Sequence, residues 1–217
     1  MQKNVVVSNQ ELSSSIQWLS LGEVATRFFY LALVVILPPT CLFIDLKILG
    51  NSITESSVTE IAQILLLILS IGCFTFLAIK KVDERSFFLL AAAFFTCMLI
   101  RELDAVFDLI AHGFWACIVA PVAISAIVNA VKNGSSTLQG LSRFVSSHAG
   151  VLMLVAVAIL LFYSRLIGMT QVWQGIMGDN YSRTVKNAME ETSELLGYSL
   201  IFAASATYLL QRLRSAN

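Results

Sequence analysis

Charged positions cut this chain into a series of long apolar stretches, and the length of each stretch carries the first inference. A helix needs about 20 mainly apolar residues to cross the hydrocarbon core of a bilayer. Between Arg27 and Asp45, residues 28–44 hold no charge, and Pro38 and Pro39 stand near their end, where a helix would kink or stop. Residues 61–79, between Glu60 and Lys80, are rich in Leu and Ile, and the charged turn Lys80–Arg85 that follows predicts a hairpin. From Ser86 the next uncharged run ends at Ile100, too short to span, so this helix must carry Arg101, Glu102 and Asp104 with it. Residues 109–131 are entered through His112 and Gly113, where glycine allows a tight reversal, and contain Pro121. A polar loop, Lys132–Ser136, leads to an uncharged run at 144–164 between Arg143 and Arg165, and the last run, 195–211, is expected to begin earlier, near Glu190.

This pattern predicts an all-α protein: a single integral membrane domain over 1–217, built as a polytopic transmembrane helical bundle of about six spans near 24–45, 59–79, 86–110, 113–131, 145–166 and 189–211. Ser8–Glu11, followed by Leu12, Ile16, Trp18 and Leu19, fits a capped amphipathic helix lying in the interface before the first span. The polar residues Asn9, Gln10 and Glu11 after Lys3 interrupt any apolar core of a cleavable signal peptide, so the N-terminus is expected to be kept.

Composition agrees with lipid as the solvent: 57% of residues are hydrophobic, 13% are charged, and mean hydropathy is +0.80. Fourteen basic residues balance fourteen acids, which leaves no basic excess to draw the chain onto nucleic acid. Cys41, Cys73, Cys97 and Cys117 all lie in apolar runs without metal-ligand spacing and read as packing residues. Trp115 and Trp173 read as interface anchors, as does His148 near the opposite face.

Alternate connections differ in Lys and Arg, nine on one side against five on the other, which predicts that both termini are cytoplasmic. The acids run the other way: four fall inside, and ten, from Asp45 to Glu194, fall outside. Three helices bring carboxylates to that outer side. In helix three, steps of four place Asp104, Asp108 and His112 on one stripe with Arg101, provided the helix continues. Helix six opens with Glu190, Glu191 and Glu194, and Tyr198 follows one turn on. Helix two starts with Glu60 and Gln63 on a common side. Like charges held together in a low dielectric persist only when protons, arginines or a cation neutralise them.

The segments Ile100–Asp104, His112–Trp115 and Glu190–Tyr198 resemble those of a group of small uncharacterised bacterial multi-spanning inner-membrane proteins. The resemblance implies a multi-pass protein of the bacterial inner (cytoplasmic) membrane, and no activity.

The leading expectation from the residues is a divalent-metal site, for Mg, Mn, Fe or Zn, acting on a lipid or lipid-linked substrate. Asp104, Asp108, His112, Glu190, Glu191 and Glu194 would be ligands, Glu60 or Glu102 the general base, Arg101 the holder of an anionic head group, and Tyr198 a donor to the cluster. The alternatives are a proton- or cation-coupled transporter and a non-catalytic assembly or regulatory subunit; a homo-oligomer or a protein partner stays open. The plainest reading is that Arg101, Arg165 and Lys186 pair with some of the acids and the rest face water.

Overall fold

The computed structural model describes residues 20–50 and 57–214. The interfacial helix expected over 8–19 lies outside the described residues. Among those described, the chain is helical throughout, with no strand. Five helices are long and apolar enough to cross a membrane: α1 (Leu21–Ile48), α2 (Val58–Lys80), α5 (Trp115–Lys132), α7 (His148–Ile167) and α9 (Arg183–Arg214). The protein is a membrane protein on this measure. Between them stand α3 (Arg85–Glu102), the short α4 (Asp104–Asp108), α6 (Gly134–Val145) and α8 (Thr170–Met177). The chain divides into two compact units at Leu33/Val34. The described part of the first is the opening of α1, where Ser20 and Glu23 cap each other: the Ser20 backbone N–H donates to the Glu23 carboxylate at 2.9 Å and the Glu23 N–H to the Ser20 hydroxyl at 3.2 Å.

In the second unit, α1 does not stop at Pro38 and Pro39. It runs on as α-helix to Phe43 and then widens into a π turn at Ile44–Ile48. Prolines are tolerated in apolar helices of this kind because neighbouring helices and local π adjustments take up the freed backbone groups. The π turn carries Asp45, which is 0% exposed, and its carboxylate accepts from the Val58 N–H at 2.7 Å, the Thr59 N–H at 3.0 Å and the Thr59 hydroxyl at 2.7 Å. A buried anion thus sits on the positive end of α2, where Ser57 also accepts from the Glu60 N–H.

α2 and α3 form the expected hairpin through a 3-10 turn at Val82–Glu84. α9 is the most enclosed of the five long helices, packed against α2 and α7. Small residues let it approach: a Cβ added at Gly197 would lie 3.1 Å from the Leu160 Cβ of α7, and Ala203 and Ala204 are fully buried. The core is aromatic where α2, α3, α6 and α9 meet. Phe144 stacks edge-on with Tyr208 at 4.8 Å and with Phe74 at 5.8 Å, and lies 5.5 Å from Phe87.

Two differences from the sequence expectation matter for the site. The helix expected over 86–110 ends at Glu102; Leu103, at φ −93° and ψ 16°, breaks it, and Asp104–Asp108 is a separate short turn. The polar loop expected after Lys132 is instead the start of α6.

Polar side chains gather at the two ends of this unit. One end is basic and holds Glu84, 2% exposed, whose Oε1 accepts from Arg143 of α6 and from Arg212 of α9, the latter at 2.7 Å. The other end is acidic.

Candidate site: an acidic cavity

At the acidic end a cavity of about 440 Å³ opens between the start of α2, the end of α3 with the segment after it, the end of α7 and the first half of α9. α2 supplies Glu60, Gln63 and Ile64; α3 supplies Arg101 and Glu102; Leu103, Asp104, Ala105, Val106 and Leu109 follow; α7 supplies Arg165; and α9 supplies Glu190, Glu191 and Glu194. Helical spacing puts the three α9 acids on neighbouring positions of one face, with Tyr198 a turn deeper.

Three cations take up part of the acidity. Arg101 pairs with Asp104 at 3.2 Å, Arg165 with Glu194 at 2.6 Å and more loosely with Glu190 at 3.7 Å, and Lys186 with Glu190 at 2.5 Å. This much follows the plainest reading of the sequence. The remaining acids are held differently. Glu102 accepts from the Tyr198 hydroxyl at 2.7 Å, and Glu191 accepts from the Gln63 amide at 3.1 Å, the same amide also donating to the Glu191 carbonyl at 3.2 Å. Both donors are neutral and, with Tyr198 and Gln63 themselves buried, they fix the two carboxylates without cancelling their charge. Counting Lys186, the six carboxylates of the lining face three cations, a formal excess of three negative charges.

The structure brings Glu60, Arg101, Glu102, Asp104, Glu190, Glu191 and Glu194 to one cavity, with Tyr198 bonded to its edge. Asp108 and His112 are not part of it. The break at Leu103 parts Arg101 from the stripe, and α4 ends at Asp108, so the stripe stops before His112. There Asp108 and His112 close a local turn: the His112 ring and Asp108 carboxylate lie 2.9 Å apart, and the Gly113 N–H donates to the same carboxylate at 2.9 Å. The His112 side chain is 98% exposed. Gly113, at φ +78°, makes the reversal its residue type allows. The Asp108 carboxyl is held below the ordinary aspartate range, first by the Gly113 N–H and then by His112.

Among the described residues, no group of three or more His, Cys, Asp or Glu is placed to hold a metal ion. The ligand set expected from the sequence is therefore divided between the cavity and the exposed turn. Arg165, expected to pair with some of the acids, reaches two of them from the end of α7. A π turn at Ile159–Tyr163, inside α7, adds a residue to the helical repeat just before it and sets the register that carries its guanidinium to Glu194. Gly168 was not foretold: an added Cβ would sit 2.5 Å from the Glu190 carboxyl carbon, so a larger residue there would push the end of the Glu190 side chain aside.

No protein-family model, no curated protein and no solved structure matches the chain.

Proposed function

We propose that the chain is a six-span protein of the bacterial inner membrane, with both termini cytoplasmic, and that its acidic cavity, on the outer side, takes the cationic head group of a lipid or lipid-linked molecule. The observation that carries the reading is the pair Glu102 and Glu191: two carboxylates facing one cavity, each hydrogen-bonded by a neutral donor and, among the described residues, neither in a direct salt bridge.

The sixth crossing is α3. Its 18 residues give a length of about 27 Å, close to the hydrocarbon thickness. It packs between α2 and α5, and its two ends lie at the basic Glu84 cluster and at the acidic cavity. The orientation rests on the basic residues, which concentrate at the Glu84 end.

The cavity is too wide for one bare ion, and its lining includes the apolar side chains of Ile64, Leu103, Val106 and Leu109. A lining that mixes carboxylates with apolar side chains suits an amphiphile better than a free ion. A primary ammonium supplies the hydrogen bonds that two carboxylates can accept, and the half-exposed Arg101 stands at the rim to meet the phosphate of the same head group. Phosphatidylethanolamine has this chemistry; phosphatidylcholine lacks the N–H donors, and phosphatidylglycerol lacks the cation.

The oxygen-rich lining favours a second reading, a hydrated Mg or Mn ion acting on the same lipid-linked class. Transport is the weaker reading. The buried hydroxyls of Ser70, Ser199 and Ser205 each donate to the carbonyl four residues back in their own helix rather than to one another. The test is lipid and metal content of the detergent-purified protein, wild type and Glu102→Gln/Glu191→Gln. Co-purifying aminolipid that is lost in the variant supports the first reading; stoichiometric metal lost in the variant moves the assignment to the second; neither, with the variant folded, removes both.

A further inference from the structure

α6 has three faces with three different environments. Thr137, Gly140 and Phe144 are buried against the bundle, with Gly140 so close to Phe87 that an added Cβ would lie 2.6 Å from the Phe87 Cβ. On one flank the helix is tied to the α2–α3 hairpin: the Ser136 hydroxyl donates to the Asp83 carbonyl at 2.6 Å, and Arg143 pairs with Glu84. On the other flank Leu138, Leu141 and Val145, at helical spacing, are left uncovered, Leu138 at 66% exposure. α5, which precedes α6 across Lys132 and Asn133, also leaves Ile127, Val128 and Val131 exposed near its end.

The charge at this end of the bundle is mostly basic. Lys80, Lys81, Arg85, Lys132, Arg143, Arg212 and Arg214 belong to the helix ends here, against Asp83 and Glu84, and Glu84 is buried under two of the arginines. An exposed apolar edge on the helix that follows an apolar, membrane-length helix, at the basic end of the bundle, fits an anionic lipid surface by both chemistries.

We propose that α6 lies in the bilayer interface, with its Leu138–Leu141–Val145 edge seated among acyl chains and the basic rim binding anionic phospholipid head groups. The bundle face of α6 then holds the helix to the protein while the free edge holds the protein to its leaflet. This inference concerns the basic end and stands independently of what the acidic cavity binds.

The test places the photoreactive residue p-benzoylphenylalanine at position 138, 145 or 139 of the full chain, reconstituted in nanodiscs of phosphatidylcholine with phosphatidylglycerol. Irradiation and mass spectrometry then identify the adducts. Lipid adducts at 138 and 145 with none at Gln139, on the water flank, are expected, with phosphatidylglycerol enriched about fivefold over its share of the bilayer, as one basic group near the surface gives. Position 145 carries the test if the 138 protein fails to fold. Cross-links from 138 or 145 to a second copy or another protein, or equal lipid labelling at 139, would overturn the interfacial placement. Adducts in proportion to bilayer composition would overturn the preference for anionic lipid.

Discussion

Glu84 is the residue whose replacement tests the packing of the bundle most directly. Its side chain is 2% exposed, its Oε1 accepts from Arg143 and Arg212, and its Oε2 is buried without a partner. Alanine at this position withdraws the acceptor from both arginines. Arg212 is mostly buried, and a buried charge-assisted hydrogen bond is worth about 1.5–3 kcal/mol. Arg143 is half exposed, and its share is at most about 1 kcal/mol after solvent screening. The expected loss for Glu84→Ala is therefore about 2–3 kcal/mol, since the bare Oε2 already costs the native state part of what the pair returns. That corresponds to a fall of roughly 30- to 150-fold in the folded-to-unfolded ratio. Reversible denaturation in mixed detergent micelles, followed by circular dichroism, measures it. A double-mutant cycle with Arg212→Met isolates the coupling, expected at about 1.5 kcal/mol or more because the two side chains share one contact. A loss below about 0.5 kcal/mol, or strict additivity in the cycle, would refute the reasoning.

Other expectations follow from single contacts. Asp45→Ala should cost about 2 kcal/mol in the same assay, because it orphans the Val58 and Thr59 N–H groups at the start of α2. Gly168→Ala should cost about 1 kcal/mol and speed hydrogen exchange in the first turns of α9, since the new methyl displaces Glu190 from Lys186 and Arg165. Asp108 gives the pH signature of the exposed turn. Its carboxyl titrates below the ordinary value of 3.8, so its contribution is complete above that value and is lost as pH falls through the lower folded one. The Gly113 amide resonance should report this loss in an acid titration, and Asp108→Asn should abolish it.

The intervals between charges located most of the long apolar helices because a charge-free run of that length has few other uses in a chain this apolar. α2, expected near 59–79, is Val58–Lys80, and α5, expected near 113–131, is Trp115–Lys132. What the sequence hid was local backbone departure from the α repeat. The stripe from Arg101 through Asp104 and Asp108 to His112 assumed an unbroken helix; the break at Leu103 and the end of α4 at Asp108 interrupt it, and neither position has a proline or glycine to announce it. Arg165 was legible as a partner for the acids, but not that it would meet Glu194 and Glu190 in particular. α6 begins Gly134–Ser135–Ser136, which reads as a loop; the helix is held by Phe144 and Gly140 packing on Phe87, a tertiary effect that outweighs weak local propensity. The carboxylates of α2 and α9 were legible because they needed only helix identity and direction, and both were correct.

The most direct test of the central claim is the affinity of a short-chain phosphatidylethanolamine for the purified protein, measured by native mass spectrometry for the wild type and for Glu102→Gln/Glu191→Gln. Selective binding over the phosphatidylcholine analogue, weakened at least about tenfold in the variant, is the expected result, since charge-assisted contacts are lost. Equal affinity for the two lipids, or binding unchanged in a folded variant, would contradict the account.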